Sequence, residues 1–559
     1  MGKKKWSRRE ALKAGVAGAA AIGLGALARD GAAGELVRAS VADVRPAAEI
    51  ADDGAGGTES ERAGVNGAAA RSSGATARAA AESSSPRGAI TQFPAPVELG
   101  DAHWSCVVTT ESAAWQSTPL YKPSFAFDEL NLIVGVPDLD AAADSQQTME
   151  GFGGCFNELG WTSLEALSDT DRESVMTELF DPKAGARFSY CRMPIGANDF
   201  AREPYSYDET DGDFAMDHFS IAHDQDTLVP FIQAALKHQP KLRLWASPWS
   251  PPTWMKNNHF YAEAKPYPGF KDNGIKPEQV GHEGEDMFIQ EPRYFQAYAL
   301  YFQKFIEAYR AAGIRVGMVM PQNEFNSAQN FPSCTWTADG LKHFIEYLGP
   351  AMQKIGVDVF FGTLERGNVK LLEAAMNDKK AAKYIKGVGV QWAGKNALAD
   401  IAREFPGLTL FQSEQECGYN SDTWAYTTYC WQLMKEYFRR GARAYMYWNI
   451  STLNGGVSTW GWPQNSLVYV DAAEKNFKYS SDYYLLKHLT HYVDVGARRI
   501  ETSGTCDDAL AFLNPNDSVV LLVRNASAHK QTLQVQVADK TAVVELAPNS
   551  IGTLHLKSA

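Results

Sequence analysis

The middle of the chain repeats one hydrophobic pattern. Short runs of β-branched and aromatic residues are each followed by a longer stretch in which apolar positions recur every three or four residues. The short runs predict buried strands, and the longer stretches predict amphipathic helices. Eight strands are predicted in this way, at residues 149–157, 186–196, 241–249, 315–323, 358–365, 387–394, 408–414 and 444–451.

Helical patterns occupy the spaces between these strands. Strands that alternate with helices favour a closed (β/α)8 barrel over an open sheet. An open nucleotide-binding sheet is the main alternative. Its glycine-rich turn would lie between a strand and a helix, whereas the glycines of residues 151–154 lie within a predicted strand. The predicted helices cover residues 226–238, 293–312, 338–355, 369–377, 398–405 and 424–440.

After Tyr479 the pattern changes to short alternating runs separated by Asn, Pro, Asp and Ser. Such runs predict an antiparallel β-sandwich. The strand-like residues Trp104–Thr109 precede the barrel and are predicted to complete the same sandwich. The sequence therefore predicts an α/β fold, a (β/α)8 TIM barrel with a side β-sandwich formed by both ends of the folded chain.

The first residues predict an export signal. Lys3–Lys5 and the pair Arg8-Arg9 give a basic start with a twin-arginine pattern, and residues 14–27 form a mild apolar stretch. An uncleaved membrane anchor is the alternative, but about 15 residues rich in Gly and Ala fall short of the ~20 apolar residues of a span. We therefore expect export by the twin-arginine route to the periplasm or the extracellular space, without stable membrane insertion.

Composition sets the predicted domain order. Residues 29–88 are rich in Ala, Gly, Ser and Arg and poor in large apolar residues, which predicts a disordered linker. The predicted segments are a signal peptide (1–28), the linker (29–88), N-terminal strands that join the sandwich (89–135), the barrel (136–480) and the C-terminal sandwich (481–559).

Charge and cysteine content argue against several classes of protein. The 559 residues carry a net charge of −13, which argues against nucleic acid or an anionic membrane as the partner. The seven cysteines show no metal-ligand spacing, so neither a metal nor another cofactor is expected. Cys106 and Cys506 lie near the two ends of the folded part, where their thiols could pair.

Two glutamates carry the candidate chemistry. Glu324 and Glu414 each end a predicted strand, in VGMVMPQNE and LTLFQSE. In a (β/α)8 barrel the C-terminal strand ends form the floor of the active site. A protonated and an ionised carboxyl group that face each other can cleave a glycosidic bond. The sequence therefore predicts a glycosidase.

Six ordered motifs between about Val97 and Leu556 resemble those of glycoside hydrolase family 30. They are GFGGCFNELGW, CRMPIGANDFA, WASPWSPPTWMKNN, MPQNE, QSEQECG and YWNISTLNGG. The resemblance implies a barrel with a side β-sandwich and a retaining mechanism. Two positions depart from the family pattern, because Phe325 replaces a usual Pro and Gln391 stands where a His is common.

The resemblance implies two catalytic roles. Glu324, in the pair Asn323-Glu324, matches the family's acid/base, and Glu414, in Ser413-Glu414, matches its nucleophile. Asn323 is expected to donate a hydrogen bond to the sugar 2-hydroxyl. Glu416, two residues after Glu414, is the alternative nucleophile.

Further residues are predicted to support binding. Asp199 is expected to bind hydroxyls at the non-reducing end, and Arg192 is expected to keep Glu414 ionised. Glu158 and Glu365, at the ends of strands one and five, are alternatives for binding hydroxyls or bracing the catalytic pair. The other predicted contacts are Gln391, the stacking surfaces Trp249, Trp392, Trp448 and Trp460, and a rim wall of Tyr205 and Tyr207.

Several substrates fit these motifs. The expected substrate is a β-linked glucoside, oligosaccharide or glycolipid, cleaved by a glucosylceramidase-like or β-glucosidase-like enzyme. An endo-β-1,6-glucanase, a β-xylosidase and a fucosidase are alternatives within the family. A non-catalytic carbohydrate-binding barrel is the alternative from another class. It predicts the loss of one carboxylate, whereas both are present. The sequence does not indicate an oligomeric state.

Overall fold

The computed structural model describes residues 96–99, 102–123, 130–135 and 147–557. The predicted signal peptide and linker, residues 1–88, lie outside these ranges. Among the described helices, none is both long enough and apolar enough to cross a bilayer.

The strands fall into three groups along the chain. Five short strands come first, eight barrel strands follow, and the last nine form a hairpin and most of the sandwich. The first group is β1 (Val97–Leu99), β2 (Ala102–Thr109), β3 (Gln116–Ser117), β4 (Leu120–Tyr121) and β5 (Leu130–Val134). The barrel strands are β6 (Gly151–Cys155), β7 (Tyr190–Ile195), β8 (Arg243–Pro248), β9 (Val316–Val319), β10 (Asp358–Leu364), β11 (Ile385–Gln391), β12 (Thr409–Glu414) and β13 (Ala442–Leu453). The remaining strands are β14 (Ser466–Asp471), β15 (Asn476–Tyr479), β16 (Arg498–Ile500), β17 (Thr502–Gly504), β18 (Ala509–Leu513), β19 (Val519–Asn525), β20 (Gln531–Val537), β21 (Lys540–Leu546) and β22 (Ser550–Lys557).

The eight predicted barrel strands are confirmed, and they run parallel. Each pairs with the next along the chain, and β13 also pairs with β6, which closes the sheet into a barrel. Side chains from six of the strands or their ends form a separate apolar cluster, which fills the barrel interior beneath the strand ends. Its members are Tyr190, Trp245, Met318, Met320, Phe360, Phe411, Ala444 and Met446.

Helices surround the barrel, and the six predicted ones are confirmed. Four others were not predicted, including two that follow β6 directly. The helices within residues 147–557 are α1 (Glu158–Glu165), α2 (Asp169–Phe180), α3 (Leu228–His238), α4 (Pro292–Ala311), α5 (Ala338–Ile355), α6 (Lys370–Met376), α7 (Lys379–Ala382), α8 (Leu398–Glu404), α9 (Trp424–Arg439) and α10 (Ser481–Thr490).

The sandwich is built from both ends of the folded chain, as predicted. One sheet has the strand order β1-β2-β22-β19-β18-β16 with β3 beside β2, and the other has the order β17-β5-β20-β21-β4. The central strand β22 pairs with β2 and with β19, both antiparallel. The two sheets enclose their own apolar core, which includes Trp104, Leu521 and Leu554.

A buried histidine on α10 joins the barrel to the sandwich. The two ring nitrogens of His488 lie 2.8 Å from Thr109 Oγ1 on β2 and 2.9 Å from Thr553 Oγ1 on β22. Both hydroxyls belong to the sheet that faces the barrel helix. The contact therefore helps to hold the sandwich against the barrel.

The cysteine pair suggested by the sequence does not form. All seven cysteines lie within the described residues, and all are free and buried. Cys106 and Cys506 are both part of the sandwich core, where each fills space as a small apolar side chain.

Candidate active site

Glu324 lies in the loop after β9 with an unusual backbone conformation. Its φ of 45° falls in the left-handed region, which costs a residue with a side chain about 1–3 kcal/mol. The neighbouring strand end supports this conformation, because the Glu324 N–H donates to Thr363 Oγ1 at 2.9 Å. The carboxyl group is buried, with 8% of the residue exposed.

Glu414 is the last residue of β12, and a guanidinium group holds its carboxylate. Arg192 Nη1, from β7, donates to Glu414 Oε2 at 2.5 Å. The same guanidinium donates through Nη2 to Ser247 Oγ at 3.0 Å and to Asn323 Oδ1 at 2.6 Å. Arg192 therefore connects β7 to the neighbouring strand β8, to the loop after β9, and across the barrel to the end of β12.

One amide nitrogen connects the two glutamates. Gln391 Nε2, at the end of β11, donates to Glu324 Oε1 at 3.0 Å and to Glu414 Oε2 at 3.2 Å. It also lies 3.3 Å from Asn323 Oδ1. The side chain is held in turn by Ser413, whose hydroxyl donates to Gln391 Oε1 at 2.9 Å. The sequence-predicted residues Glu324, Glu414, Asn323 and Gln391 thus form one connected cluster.

The surroundings of the two carboxyl groups distribute the charge between them. Burial raises the pKa of both groups. At Glu414 the contact with Arg192 opposes this rise and favours the ionised form. Among the described residues no cation lies within ion-pair distance of Glu324, so burial favours its protonated form. The geometry therefore suits a pair with one proton, on Glu324.

Asp199 lies in the loop after β7, close enough to interact electrostatically with the carboxyl groups of Glu414 and Glu324. Burial, followed by the charge of Glu414, raises the pKa of Asp199. Its Oδ1 is buried and has no hydrogen-bond partner among the described residues. A buried polar oxygen without a partner indicates a position where a ligand donates. The placement agrees with the expected contact to a sugar hydroxyl, which stays a prediction.

Three tryptophans surround the guanidinium of Arg192. Its central carbon lies 4.8 Å from the ring centroid of Trp245, 4.5 Å from that of Trp249 and 5.3 Å from that of Trp448. Such cation–π contacts stabilise a buried positive charge. Trp249 and Trp448 are almost fully buried here, and sugar stacking on them stays a prediction.

The other two candidate tryptophans lie on loops. Trp392 directly follows Gln391, is half-buried and has a φ of 47°. Trp460 is buried in the loop after β13, where the hydroxyl of its neighbour Thr459 donates to the backbone oxygen of Ala201.

Glu158 has partners outside this cluster, which corrects its predicted role. It is the first residue of α1, and its carboxylate accepts from Arg202 Nε at 3.0 Å, from Thr227 Oγ1 at 3.1 Å and from the ring of His223 at 2.9 Å. Burial opposes ionisation, but the hydrogen bonds from His223 and Arg202 outweigh it and lower the pKa of Glu158. The lowered pKa favours the ionised carboxylate, which holds the loop after β7 through Arg202. Its acceptor positions are occupied by these donors, so they are not open to sugar hydroxyls.

Tyr205 and Tyr207 do not form a rim wall. Both are buried, and their hydroxyls donate to the same carboxylate, that of Asp224, at 2.8 Å and 2.6 Å. Burial raises the pKa of Asp224 to about 6, although three tyrosine hydroxyls stabilise its ionised form. These tyrosines therefore organise the core beneath the loop.

The alternative nucleophile Glu416 points to other partners. Lys395 Nζ lies 2.7 Å from Glu416 Oε1, and the hydroxyl of Tyr429 donates to Oε2 at 2.6 Å. The strand ends at Glu414, so the alternation that would place both side chains on one side does not continue.

Two hydroxyl residues of the cluster escaped the sequence prediction. Ser247 and Thr363 accept hydrogen bonds from Arg192 and from the Glu324 N–H. Single hydroxyls within buried strands carry no sequence signal of their own. Only their positions near the C-terminal ends of β8 and β10 could have suggested them.

The described residues offer no evident metal site. Among them, no group of three or more His, Cys, Asp and Glu side chains is arranged to hold an ion. The arrangement instead provides two buried carboxyl groups, a fixed positive charge and amide donors, which are groups suited to acid/base and nucleophilic chemistry.

Comparison with known proteins agrees with this arrangement. The chain is 28% identical over 435 residues to the lysosomal acid glucosylceramidase of Mus musculus. That alignment covers 72% of this chain and 79% of the mouse protein. It is 24% identical over 417 residues to an endo-1,6-β-D-glucanase of Aspergillus fumigatus. That alignment covers 69% of this chain and 80% of the fungal protein. The solved structure of an endo-β1,6-glucanase is similar in fold, with a TM-score of 0.68, 22% identity, and coverage of 82% of this chain and 99% of that one.

Both parts of the fold match models of a single family. Residues 149–493 match the glycosyl hydrolase family 30 TIM-barrel domain. Residues 496–554 match the glycosyl hydrolase family 30 β-sandwich domain. The first match alone covers more than half of the chain. The chain therefore belongs to family 30 and is a glycoside hydrolase.

Proposed function

We propose that this protein is a retaining β-glycosidase that hydrolyses β-glucosidic bonds by double displacement, with Glu414 as nucleophile and Glu324 as acid/base. The contact of Gln391 Nε2 with both carboxyl groups carries the proposal. Because the two bonds measure 3.0 Å and 3.2 Å, the oxygens that they join lie no more than about 6 Å apart. A retaining site has carboxyl groups ~5–5.5 Å apart, and an inverting site has them ~6.5–9.5 Å apart.

In the first step, Glu414 attacks the anomeric carbon while Glu324 protonates the leaving oxygen. Arg192 supports this step because it favours the ionised form of Glu414. Asn323 Oδ1 is occupied by Arg192 and Thr363, so its amide nitrogen is the group that remains for the sugar 2-hydroxyl. The product of this step is a covalent glycosyl-enzyme.

In the second step, Glu324 removes a proton from water, which attacks the same carbon from the vacated side and displaces Glu414 as a carboxylate. Glycosylation has by then removed the negative charge of Glu414. The pKa of Glu324 falls as a result, because a neighbouring like charge no longer favours its protonated form. One residue therefore serves first as acid and then as base.

The nucleophile assignment has a direct test. We expect Glu414→Ala to abolish hydrolysis, since no covalent intermediate can form. Added azide should then restore turnover of an aryl β-glucoside and give the α-glycosyl azide, which NMR identifies. Glu416→Ala is the matched control, because it removes a carboxylate two residues away. If Glu416→Ala gives the azide product instead, the assignment is wrong.

The relatives suggest two substrate classes. The mouse relative is a glucosylceramidase and the fungal relative is an endo-1,6-glucanase. We favour a glucosylceramidase-like or β-glucosidase-like activity, because the buried, unpartnered Asp199 Oδ1 suits the hydroxyls of a terminal sugar. An endo-β-1,6-glucanase is the second candidate.

Product analysis on β-1,6-glucan and on an aryl β-glucoside separates the two candidates. Glucose released only from the small substrate would support a pocket for a terminal sugar. A ladder of oligosaccharides from the polymer would overturn it in favour of the glucanase.

We also propose that the protein is exported by the twin-arginine route, on the evidence of Arg8-Arg9 and the apolar stretch that follows. Replacement of Arg8-Arg9 by Lys-Lys should retain the protein in the cytoplasm. Cell fractionation measures this, and unchanged export would contradict the route.

A further inference from the structure

A third buried carboxyl group adjoins the acid/base residue. Glu365 follows β10, and only 2% of it is exposed. Its Oε1 accepts the backbone N–H of Asn326 at 2.8 Å and the hydroxyl of Ser327 at 3.0 Å. Both donors belong to the turn that begins at Glu324. The end of β10 therefore holds this turn through a side chain.

The same strand end also holds Glu324 itself. Thr363, two residues before Glu365, accepts the Glu324 N–H at 2.9 Å. Within the turn, the Ser327 N–H donates to the Glu324 backbone oxygen at 2.8 Å. The left-handed conformation of Glu324 persists only if its surroundings impose it. The contacts from Thr363 and Glu365 help to impose it.

The second oxygen of Glu365 has a different environment. Oε2 is buried and has no hydrogen-bond partner among the described residues. The cation nearest to this carboxyl, Arg366, lies 3.8 Å from Oε1 and is itself hydrogen-bonded to Glu283 at 3.0 Å. An ionised oxygen in such a place would carry an uncompensated charge, which costs much more than the unpaired hydroxyl of the protonated form. Burial raises the pKa of Glu365 to about 8.

We propose that Glu365 is a positioning residue for the acid/base Glu324 and acts as an uncharged carboxylic acid. Its Oε1 holds the turn that carries Glu324, and its Oε2 bears the proton. The inference rests on the proposed acid/base role of Glu324. With Glu365 uncharged, Glu414 carries the only negative charge of the three carboxyl groups before substrate binds.

Leaving-group dependence tests this role. Misplacement of the acid slows the release of a poor leaving group, whereas a good leaving group departs without a proton. We expect Glu365→Ala to lower kcat/KM at least about tenfold on phenyl β-glucoside and much less on 2,4-dinitrophenyl β-glucoside. The ratio of the two constants does not depend on the folded fraction of the preparation.

Glu365→Gln separates position from charge. The amide keeps an acceptor at Oε1 and presents a donor in place of the Oε2 proton, so below pH 8 it should retain the wild-type ratio. Glu283→Gln is the matched control, because it removes a carboxylate from the same Arg366 but has no bond to the turn. It should leave the ratio unchanged.

Three outcomes would overturn the proposal. The first is an equal loss of both activities in Glu365→Ala, and the second is no loss. The third is a Glu365→Gln variant that behaves like Glu365→Ala, which would mean that the negative charge is required. Glu324→Gln serves as the reference, because it must itself show leaving-group selectivity. If it does not, the proposed acid/base assignment fails independently of Glu365.

Discussion

Arg192 shows how the residues of the site depend on one another. Its guanidinium contacts Glu414, Ser247 and Asn323, which lie on or after three different strands. A planar group with five donors can satisfy all three partners, and tryptophan rings enclose it. A lysine would carry the same charge with a different geometry. Arginine and lysine at position 192 would therefore differ in where the positive charge lies relative to Glu414, and not in whether a charge is present.

Arg192→Lys should change the pH dependence of the enzyme. Arg192 lowers the pKa of Glu414, so weakening the contact raises this pKa. Glu414 must be ionised to attack, so the acidic limb of kcat/KM should move to higher pH by about one unit. The pH profile on an aryl β-glucoside measures the shift. Arg243→Lys is the control, because Arg243 begins β8, at the end of the barrel away from the site, and pairs with Glu150. This substitution should leave the acidic limb in place. An unmoved limb in Arg192→Lys would contradict the role.

The sequence predicted the residues that hydrogen-bond within the catalytic cluster better than those that lie outside it. Asn323 was predicted because strand position and family motif agree there, and Gln391 was predicted from its place on a strand although it departs from the family motif. Glu158 was misplaced, because the chain turns into a helix at this residue and Asn157 caps it by accepting the Gly160 N–H. The direction of a side chain just after a strand depends on this turn, and the hydrophobic pattern does not encode it.

The elements of the barrel were predictable because buried parallel strands are continuous apolar runs. The hairpin of β14 and β15 was not predicted. β14 lies beside the second half of β13, which continues to Leu453, beyond its predicted end. A strand that extends past the barrel and gains a new neighbour has the same sequence pattern as one that stops. The difference lies in pairing over a distance, which a local pattern cannot show.

The central strand of the sandwich should control its stability. Leu554 on β22 is fully buried in the sandwich core and lies opposite Cys106 on β2 and Leu521 on β19. We expect Leu554→Ala to lower the free energy of unfolding by about 2–5 kcal/mol, through lost burial and a cavity. Thermal denaturation measures the loss. Lys557→Ala, at the exposed end of the same strand, should change the value by less than about 0.5 kcal/mol. Equal melting of both variants would exclude a central role for β22.

At the scale of the whole molecule, buried histidines make the junction between barrel and sandwich sensitive to acid. Burial lowers the pKa of His488 and of its neighbour His491 to about 3. The ordinary pKa of histidine is about 6.5, so between pH 6.5 and 3 the unfolded chain binds more protons than the folded one. Their contribution to stability is thus complete above pH 6.5 and is lost as the pH falls through this window.

His488→Gln should flatten this dependence. Glutamine can donate to one threonine hydroxyl and accept from the other, but it does not titrate. We expect the melting temperature of the variant to fall less between pH 7 and pH 4 than that of the wild type, which calorimetry measures. His529→Gln, at an exposed position in the sandwich, is the control. Parallel curves for wild type and His488→Gln would refute the prediction.

The pairing of β2 with β22 has a consequence for protein engineering. The two strands are antiparallel neighbours with His103 opposite Lys557, so the start of one lies beside the end of the other. They have the geometry of a β-hairpin without its turn, and a two-residue Asn-Gly connection from Lys557 to His103, in place of β1, would supply one. New chain ends could then be opened in an exposed loop elsewhere. The fold is therefore suited to circular permutation, in which the gene order changes while the sheet from β2 to β22 keeps its neighbours.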